Sequence, residues 1–479
     1  MPRFLPKSIL PLLALIMALG LAACEQKGQF NTIFGSRQTA SGPPQTLGGQ
    51  PPGGQGPVQP GTPEVASIPP DGTAPILRPP GEAGSEPGEE RFAPALPRAT
   101  PSVPRVAILL PLSGPSASIG TAMLNAAELA LFHFSDRTFE LLPQDTRGTP
   151  EGAAEAAALA ISDGASLILG PLFSQEVEAV TPAAQAAGVK VIAFTNDRRV
   201  ARDGVFVMGF RPDEQVDRVV RFAYSRGMRR FALLAPEDTY GRTIDEALRR
   251  TVGDLAGAQL VQVETYDPNA SEFSAVVRRL ADYDRRRANL LQQREELAAR
   301  ADDEVAKAAL QRLSTLQTLG DVPFDALLIA DGGKRLEQLA ALLPYYDIDP
   351  KKTRIMGTGL WDAPGIGKEP ALQGAWYAAP SPSARRTFEQ QYAEIYGSPP
   401  PRLATLAYDA TAIAALFAPT QGSLDVNALT SPQGFAGRDG VFRFLSEGVA
   451  ERGLSVHQVN PNGATVISEA PQSFTTATN

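Results

Sequence analysis

This 479-residue chain is poor in cysteine and histidine, the side chains best suited to nucleophilic and proton-transfer chemistry near neutral pH. It carries one cysteine, Cys24, and two histidines, His133 and His457. A thiol can act as nucleophile, metal ligand, half of a disulfide or acceptor for lipid. A catalytic or metal-binding thiol needs a histidine or further ligands beside it. The two histidines lie far apart in sequence, and His133 falls in an apolar helical stretch that packs it away. No intrachain disulfide is possible, so the fold must stand on packing alone. The glycine-bearing "ADGGK" at residues 330–334 lacks the flanking pattern of a phosphate loop. The 52 acidic residues read mostly as solvated surface. The chain is therefore expected not to be an enzyme, with no metal and no cofactor.

The surroundings of Cys24 give the thiol a different use. Arg3 and Lys7 precede a nearly unbroken apolar run, "SILPLLALIMALGLAA" at residues 8–23, and small residues lead into the cysteine. This is the layout of a secretory signal. The run is shorter than the about 20 apolar residues a spanning helix needs. Leu21, Ala22, Ala23 and Cys24 resemble a bacterial lipobox. That resemblance implies a signal peptide over residues 1–23 and a lipidated N-terminus at Cys24, with the membrane reached through the lipid anchor. Glu25 resembles an outer-membrane address, so the expected location is the periplasmic face of the outer membrane. The formal charge is -8, from 44 basic and 52 acidic residues. Without Arg3 and Lys7, 42 basic residues face 52 acidic ones, a charge of -10. Nucleic acid is excluded as a partner on this ground, because binding it needs clustered positive charge.

Residues 24–104 differ from the rest. "GPPQTLGGQPPGGQGPVQPGTPE" at residues 42–64 has almost nothing to bury. Such a stretch cannot offset its ordering entropy, and a disordered linker is expected over residues 24–104. About 80 residues of flexible coil average ~50 Å end to end, and ~250 Å if stretched as polyproline.

Order begins at "RVAILLPLSG", residues 105–114. Short apolar strands then alternate with amphipathic helices, which implies a mainly parallel sheet covered on both faces. The rhythm restarts at "MRRFALLAP", residues 228–236. An α/β fold of two lobes follows. Lobe 1 is expected over residues 105–227 with a return segment at about 360–418. Lobe 2 is expected over residues 228–355 with a return segment at about 435–465. Residues 285–321 are charged, helix-favouring and proline-free. They are read as a helical hairpin inserted in the second lobe, with Asp302 or Asp303 capping its second helix and Val305, Ala309, Leu313 and Leu316 forming a stripe. The hairpin either packs on its own lobe or offers a docking surface to a protein partner. Residues 466–479 are expected to be a flexible tail.

The order of "VAILLPLSGP", "GPL" at residues 170–172, "EDTYG" at residues 237–241 and "EFSAVVRRL" at residues 272–280 resembles the type I periplasmic-binding fold of the leucine-binding proteins. "LLPLSGP" followed by "GPL" is most similar to the penicillin-binding-protein activator family, which are outer-membrane lipoproteins that stimulate peptidoglycan synthases. The resemblance covers about residues 104–450 and implies three chain crossings between lobes, near residues 209–230, 355–362 and 418–440. It implies candidate cleft residues Ser113, Ser174, Thr195, Asn196, Asp197 and Tyr240, with Asp331 nearest to the place of an acidic group that pairs with a ligand ammonium. Ser174 could equally be a helix N-cap before "QEVEAV". Lys334 beside Asp331 has the wrong sign for an ammonium, which argues against a free amino acid as ligand. Two functions follow. The chain is a non-catalytic lipoprotein that activates a peptidoglycan synthase (a class A penicillin-binding protein), or it is the solute-binding receptor of an ABC transporter for an amino acid or related small molecule in the cleft.

Overall fold

The computed structural model describes residues 103–134, 139–300, 302–417 and 425–474. The expected signal peptide, Cys24 and all but the last two residues of the expected linker lie outside the described residues. The ordered chain opens with β1 (Arg105–Leu110), α1 (Ala117–His133), β2 (Glu140–Asp145), α2 (Pro150–Ser162), β3 (Ala165–Leu169), α3 (Ser174–Ala187), β4 (Lys190–Ala193) and β5 (Val205–Val207). These strands form a parallel sheet of order β2-β1-β3-β4-β5. Val106 to Leu110 are all buried, as a strand covered on both faces requires. Local signals start the helices. Thr149 caps α2 by accepting the Gly152 N–H at 3.0 Å, with Pro150 in the first turn.

The chain continues through α4 (Pro212–Ser225), β6 (Arg230–Pro236), α5 (Thr239–Gly253), β7 (Gln259–Tyr266), α6 (Ser274–Leu280), α7 (Tyr283–Ala298), α8 (Glu304–Ser314), β8 (Ala326–Ile329), α9 (Gly333–Tyr345), β9 (Arg354–Gly357) and β10 (Trp376–Ala379). It then runs through α10 (Pro382–Tyr396), α11 (Ala404–Phe417), α12 (Val426–Leu429), β11 (Phe435–Gly437), β12 (Gly440–Phe444), β13 (Ala450–Arg452), β14 (Ser455–Asn460) and β15 (Gly463–Ser468). The second sheet has the order β15-β14-β10-β9-β8-β6-β7, parallel except for β14 and β15. A small antiparallel sheet, β11-β12-β13, sits on the first lobe, where Phe442, Phe444 and Ala450 share a core with Val106 and Ile108.

Packing moves the expected lobe limits. Val216, Val219, Val220, Phe222 and Ala223 on α4 join the core of Phe231, Leu233 and Trp376, so residues 212–225 belong to lobe 2 and not to lobe 1. β10 pairs with β9 and β14, so residues 360–379 also stay with lobe 2. The crossings fall at residues 208–211, 380–381 and 453–454, rather than near 355–362 or 418–440 for the second and third. The cause is that β11 to β13 bury their aromatic residues on the first lobe before the chain leaves it. The expected tail is also placed. Residues 466–468 lie in β15, and Arg443 stacks on Phe474 with 4.7 Å to the ring centroid. Residues 475–479 lie outside the described residues.

The inserted hairpin is α7 followed by α8. Asp303 caps α8, accepting the Val305 and Ala306 N–H groups. Its inward stripe runs from Ala306 through Ala309 and Leu310 to Leu313, a shift from the expected one that leaves Val305 78% and Leu316 45% exposed. Arg286 anchors the hairpin. It is buried and donates to the carbonyls of Ala281 and Gly320 and to the Asp347 carboxylate at 2.9 Å. Leu290 beneath it is fully enclosed.

Candidate functional site

A cleft of about 1040 Å³ opens between the lobes. It is built from the carboxyl ends of β1, β3 and β4 on one side and of β6 and β9 on the other, where open α/β sheets place their ligands. Gly170 lets the chain turn there. It has φ 90°, and a Cβ on it would lie 2.3 Å from the Leu109 carbonyl oxygen, so only glycine lets the chain pass β1 and bring Phe173 and Ser174 to the rim.

Four of the expected residues line this cleft: Ser174, Thr195, Asn196 and Tyr240. Ser174 is the first residue of α3, not its N-cap, which is Phe173. The Thr195 hydroxyl accepts the Asp197 N–H at 3.2 Å. The Tyr240 hydroxyl is bonded to the Thr358 hydroxyl across 2.7 Å, and burial raises its pKa above the ordinary phenol value. Three expected residues do not line the cleft. Ser113 is exposed beside Asp145, and Ser116 takes its place in the wall. Asp197 is held by Arg199 through two side-chain hydrogen bonds, and that contact keeps its pKa below the usual value. Asp331 is buried inside lobe 2, where it accepts from the Tyr266 hydroxyl at 2.5 Å, from Arg335 Nε at 2.8 Å and from the Gly332 N–H. It is committed to these three partners within its own lobe.

The sequence reading missed the charged and aromatic groups of the cleft. Asp362, just after β9, carries the acid of the second lobe. It accepts from Arg385 Nη1 at 2.9 Å and lies 3.8 Å from Arg402 Nε. Arg402 reaches from there to Asp439 at 2.7 Å and stacks on Phe210, 4.1 Å from the ring centroid. Arg452 covers Phe210 as well, at 4.8 Å, and the ring forms part of the cleft wall. Glu176 lies in the same wall as the third residue of α3. Its place three residues past the helix cap was the one local signal available. Asp362, Arg385 and Arg402 come from segments with no local pattern that links them.

The crossings are joined by buried arginines. Arg211 on the first crossing donates to the Ala450 carbonyl at 3.1 Å, and Arg452 on the third donates back to the Met208 carbonyl at 2.7 Å. Acids packed among them titrate far from their usual range. Burial pushes Glu214 up to about 8 and Asp409 up to about 7, with Arg211 and the Arg438 N–H pulling the other way. In the unfolded chain both acids titrate near 4. Between pH 6.5 and 8 the folded chain therefore holds protons that the unfolded chain has released. Stability is present at the lower pH and is lost as pH rises through the folded values. The expected fall is about 2 kcal/mol from pH 6.5 to 8. Burial lowers His133 and His457, so their contribution runs the other way and is smaller. Urea unfolding at the two pH values measures the fall, and Asp409→Asn should flatten it by about a third.

The model of the family described as "Periplasmic binding protein" matches residues 104–434. This chain belongs to the periplasmic binding protein family. The family places the domain outside the cytoplasm, and proteins of this fold are typically non-catalytic binding proteins. Among the described residues no helix is long and apolar enough to cross a membrane. An uncharacterized protein of Rickettsia prowazekii is 26% identical over 182 residues, 37% of this chain and 47% of that protein. The chain spans about half the length of the curated relatives it matches. Among solved structures, the leucine-binding protein of Thermotoga maritima superposes with a TM-score of 0.51 at 20% identity, covering 77% of this chain and 99% of that one. The C-domain of LpoA from Haemophilus influenzae, described as a regulator of PBP1A, superposes with a TM-score of 0.54 at 15% identity, covering 76% and 99%. These two likenesses concern the fold.

Proposed function

We propose that this chain is an envelope lipoprotein that works by binding, not catalysis. Lipid on Cys24 holds it at the periplasmic face of the outer membrane, and residues 25–104 tether the two-lobed domain. That domain binds and activates a peptidoglycan synthase, a class A penicillin-binding protein. The observation that carries this reading is the α7–α8 hairpin. It is seated by the buried Arg286 and still leaves Leu291, Val305 and Leu316 exposed. Apolar side chains held on a rigid projection are what a partner surface needs. The shared fold with the LpoA C-domain supports the same reading. Asp331, the acid that chain order placed nearest to a ligand ammonium, is committed within its own lobe. The test is glycan polymerisation by a purified class A synthase with and without the mature chain. The wild type should stimulate it. Leu291→Asp combined with Val305→Asp should cut the stimulation about tenfold, a loss of one hot-spot contact, while the circular dichroism is unchanged. Failure of the wild type to stimulate, or full stimulation by the variant, would end this reading.

The cleft favours a second reading, the solute receptor of an ABC transporter. Its wall carries Ser174, Thr195, Asn196 and Tyr240 with a large apolar surface, and its volume suits a small-molecule ligand. Crosslinking in intact cells separates the two. Capture of a permease with no synthase would select the receptor.

A further inference from the structure

The amino end of α3 is where the cleft would hold an anion, because its first-turn N–H groups have no partner within the helix. A carboxyl group is already there. Glu176 turns back on its own helix, and its Oε2 accepts the Phe173 N–H at 3.0 Å. Its side chain is 1% exposed, and its Oε1 is buried with no hydrogen-bond partner. The Leu172 N–H and the Thr146 hydroxyl lie around the same carboxyl, and burial raises its pKa above the ordinary value. Ser174 and Phe173 line the same cleft wall.

We infer that Glu176 is a specificity determinant of the cleft: it fills the anion seat at the start of α3, rejects ligands that present a carboxylate there, and selects ligands that present an uncharged or cationic hydrogen-bond donor. The free Oε1 lone pairs call for a donor, and an unmet buried acceptor is costly. A ligand carboxylate brought to Ser174 would find the Phe173 N–H already taken and would meet a second carboxyl in a water-poor wall. The remainder of the wall fixes the body of the ligand. Phe173, Phe194, Phe210 and Leu360 offer apolar and aromatic faces, with Phe173 39% and Leu360 49% exposed. The class is thus an amide, alcohol or amine on an apolar or aromatic body. The inference rests on the cleft holding a small molecule and is independent of any synthase partner.

Two probes that differ at one group test it. L-Leucine presents a carboxylate, and L-leucinamide presents a carboxamide in the same frame. Calorimetric titration of the mature chain should show leucinamide bound at least about tenfold more tightly than leucine. Glu176→Gln keeps an oxygen for the Phe173 N–H and removes the charge, and it should erase that preference. Glu176→Ala, with folding checked by circular dichroism, should do the same or reverse it. An unchanged preference in both variants overturns the inference. So does failure of leucine to bind either variant, because Glu176 would then not be what excludes it. Ser174→Trp fills the cleft and should abolish leucinamide binding. Intact binding in that variant would show that the probe sits elsewhere, which removes the cleft reading itself and not merely the role of Glu176.

Discussion

Arg452→Leu is expected to lower the unfolding free energy by about 1–3 kcal/mol, the cost of leaving the buried Met208 carbonyl without its donor. Arg452 is 6% exposed, and burial lowers its pKa while Asp439, Asp409 and Glu214 raise it. Its guanidinium lies over Phe210 and Phe442, at 4.8 and 5.0 Å from the ring centroids. Leucine would fill part of that volume, so the loss is chiefly that of the hydrogen bond. That bond is one of the two reciprocal hydrogen bonds between the first and third crossings. Urea unfolding of the mature chain measures the loss. A loss below about 1 kcal/mol would mean that the Met208 carbonyl finds another donor.

The second large effect concerns the floor of the cleft. Trp361 is fully buried, and its Nε1–H donates to the Asp331 carbonyl at 2.8 Å. Its ring packs so closely on β9 that a Cβ at Gly357 would lie 2.1 Å from it. The turn it anchors carries Leu360 and Asp362 into the cleft. Trp361→Ala should cost about 3–5 kcal/mol, as truncation of a buried tryptophan does. Trp361→Phe keeps most of the packing and leaves the Asp331 carbonyl without its donor, a cost of about 1–3 kcal/mol. The two variants separate cavity from hydrogen bond. Equal losses would show that the indole N–H matters more than the ring volume. Gly357→Ala should also destabilise the fold, since the ring has no room to retreat.

The lobes and the hairpin were legible for different reasons. Strands such as "RVAILL" and "FDALLIAD" are apolar on both faces, and helices such as "GRTIDEALRR" carry apolar residues at helical spacing. Those periods alone require parallel sheets with helices on both faces. Caps acted locally too, and Asp303 starts α8 as its position predicts. The stripe on α8 was misread by one position because a short alanine-rich helix has two nearly equivalent apolar faces. Packing against α7 chose the one through Ala306.

The sequence by itself determined the class of fold, the restart that makes two lobes, and the inserted hairpin, since each follows from contacts within a few residues. Tertiary structure decided what the cleft is made of. An apolar run such as "AWYAA" states that a strand will form, not which sheet edge receives it, and β10 joined the second sheet because β9 and β14 were there to pair with it. The same holds for the charges. Arg402, Asp362 and Asp439 meet only when the second crossing folds back over Phe210. Asp331, the acid that chain order placed at the ligand, was taken by Tyr266 and Arg335. Burial and partner geometry belong to the assembled fold, and no local spacing encodes them.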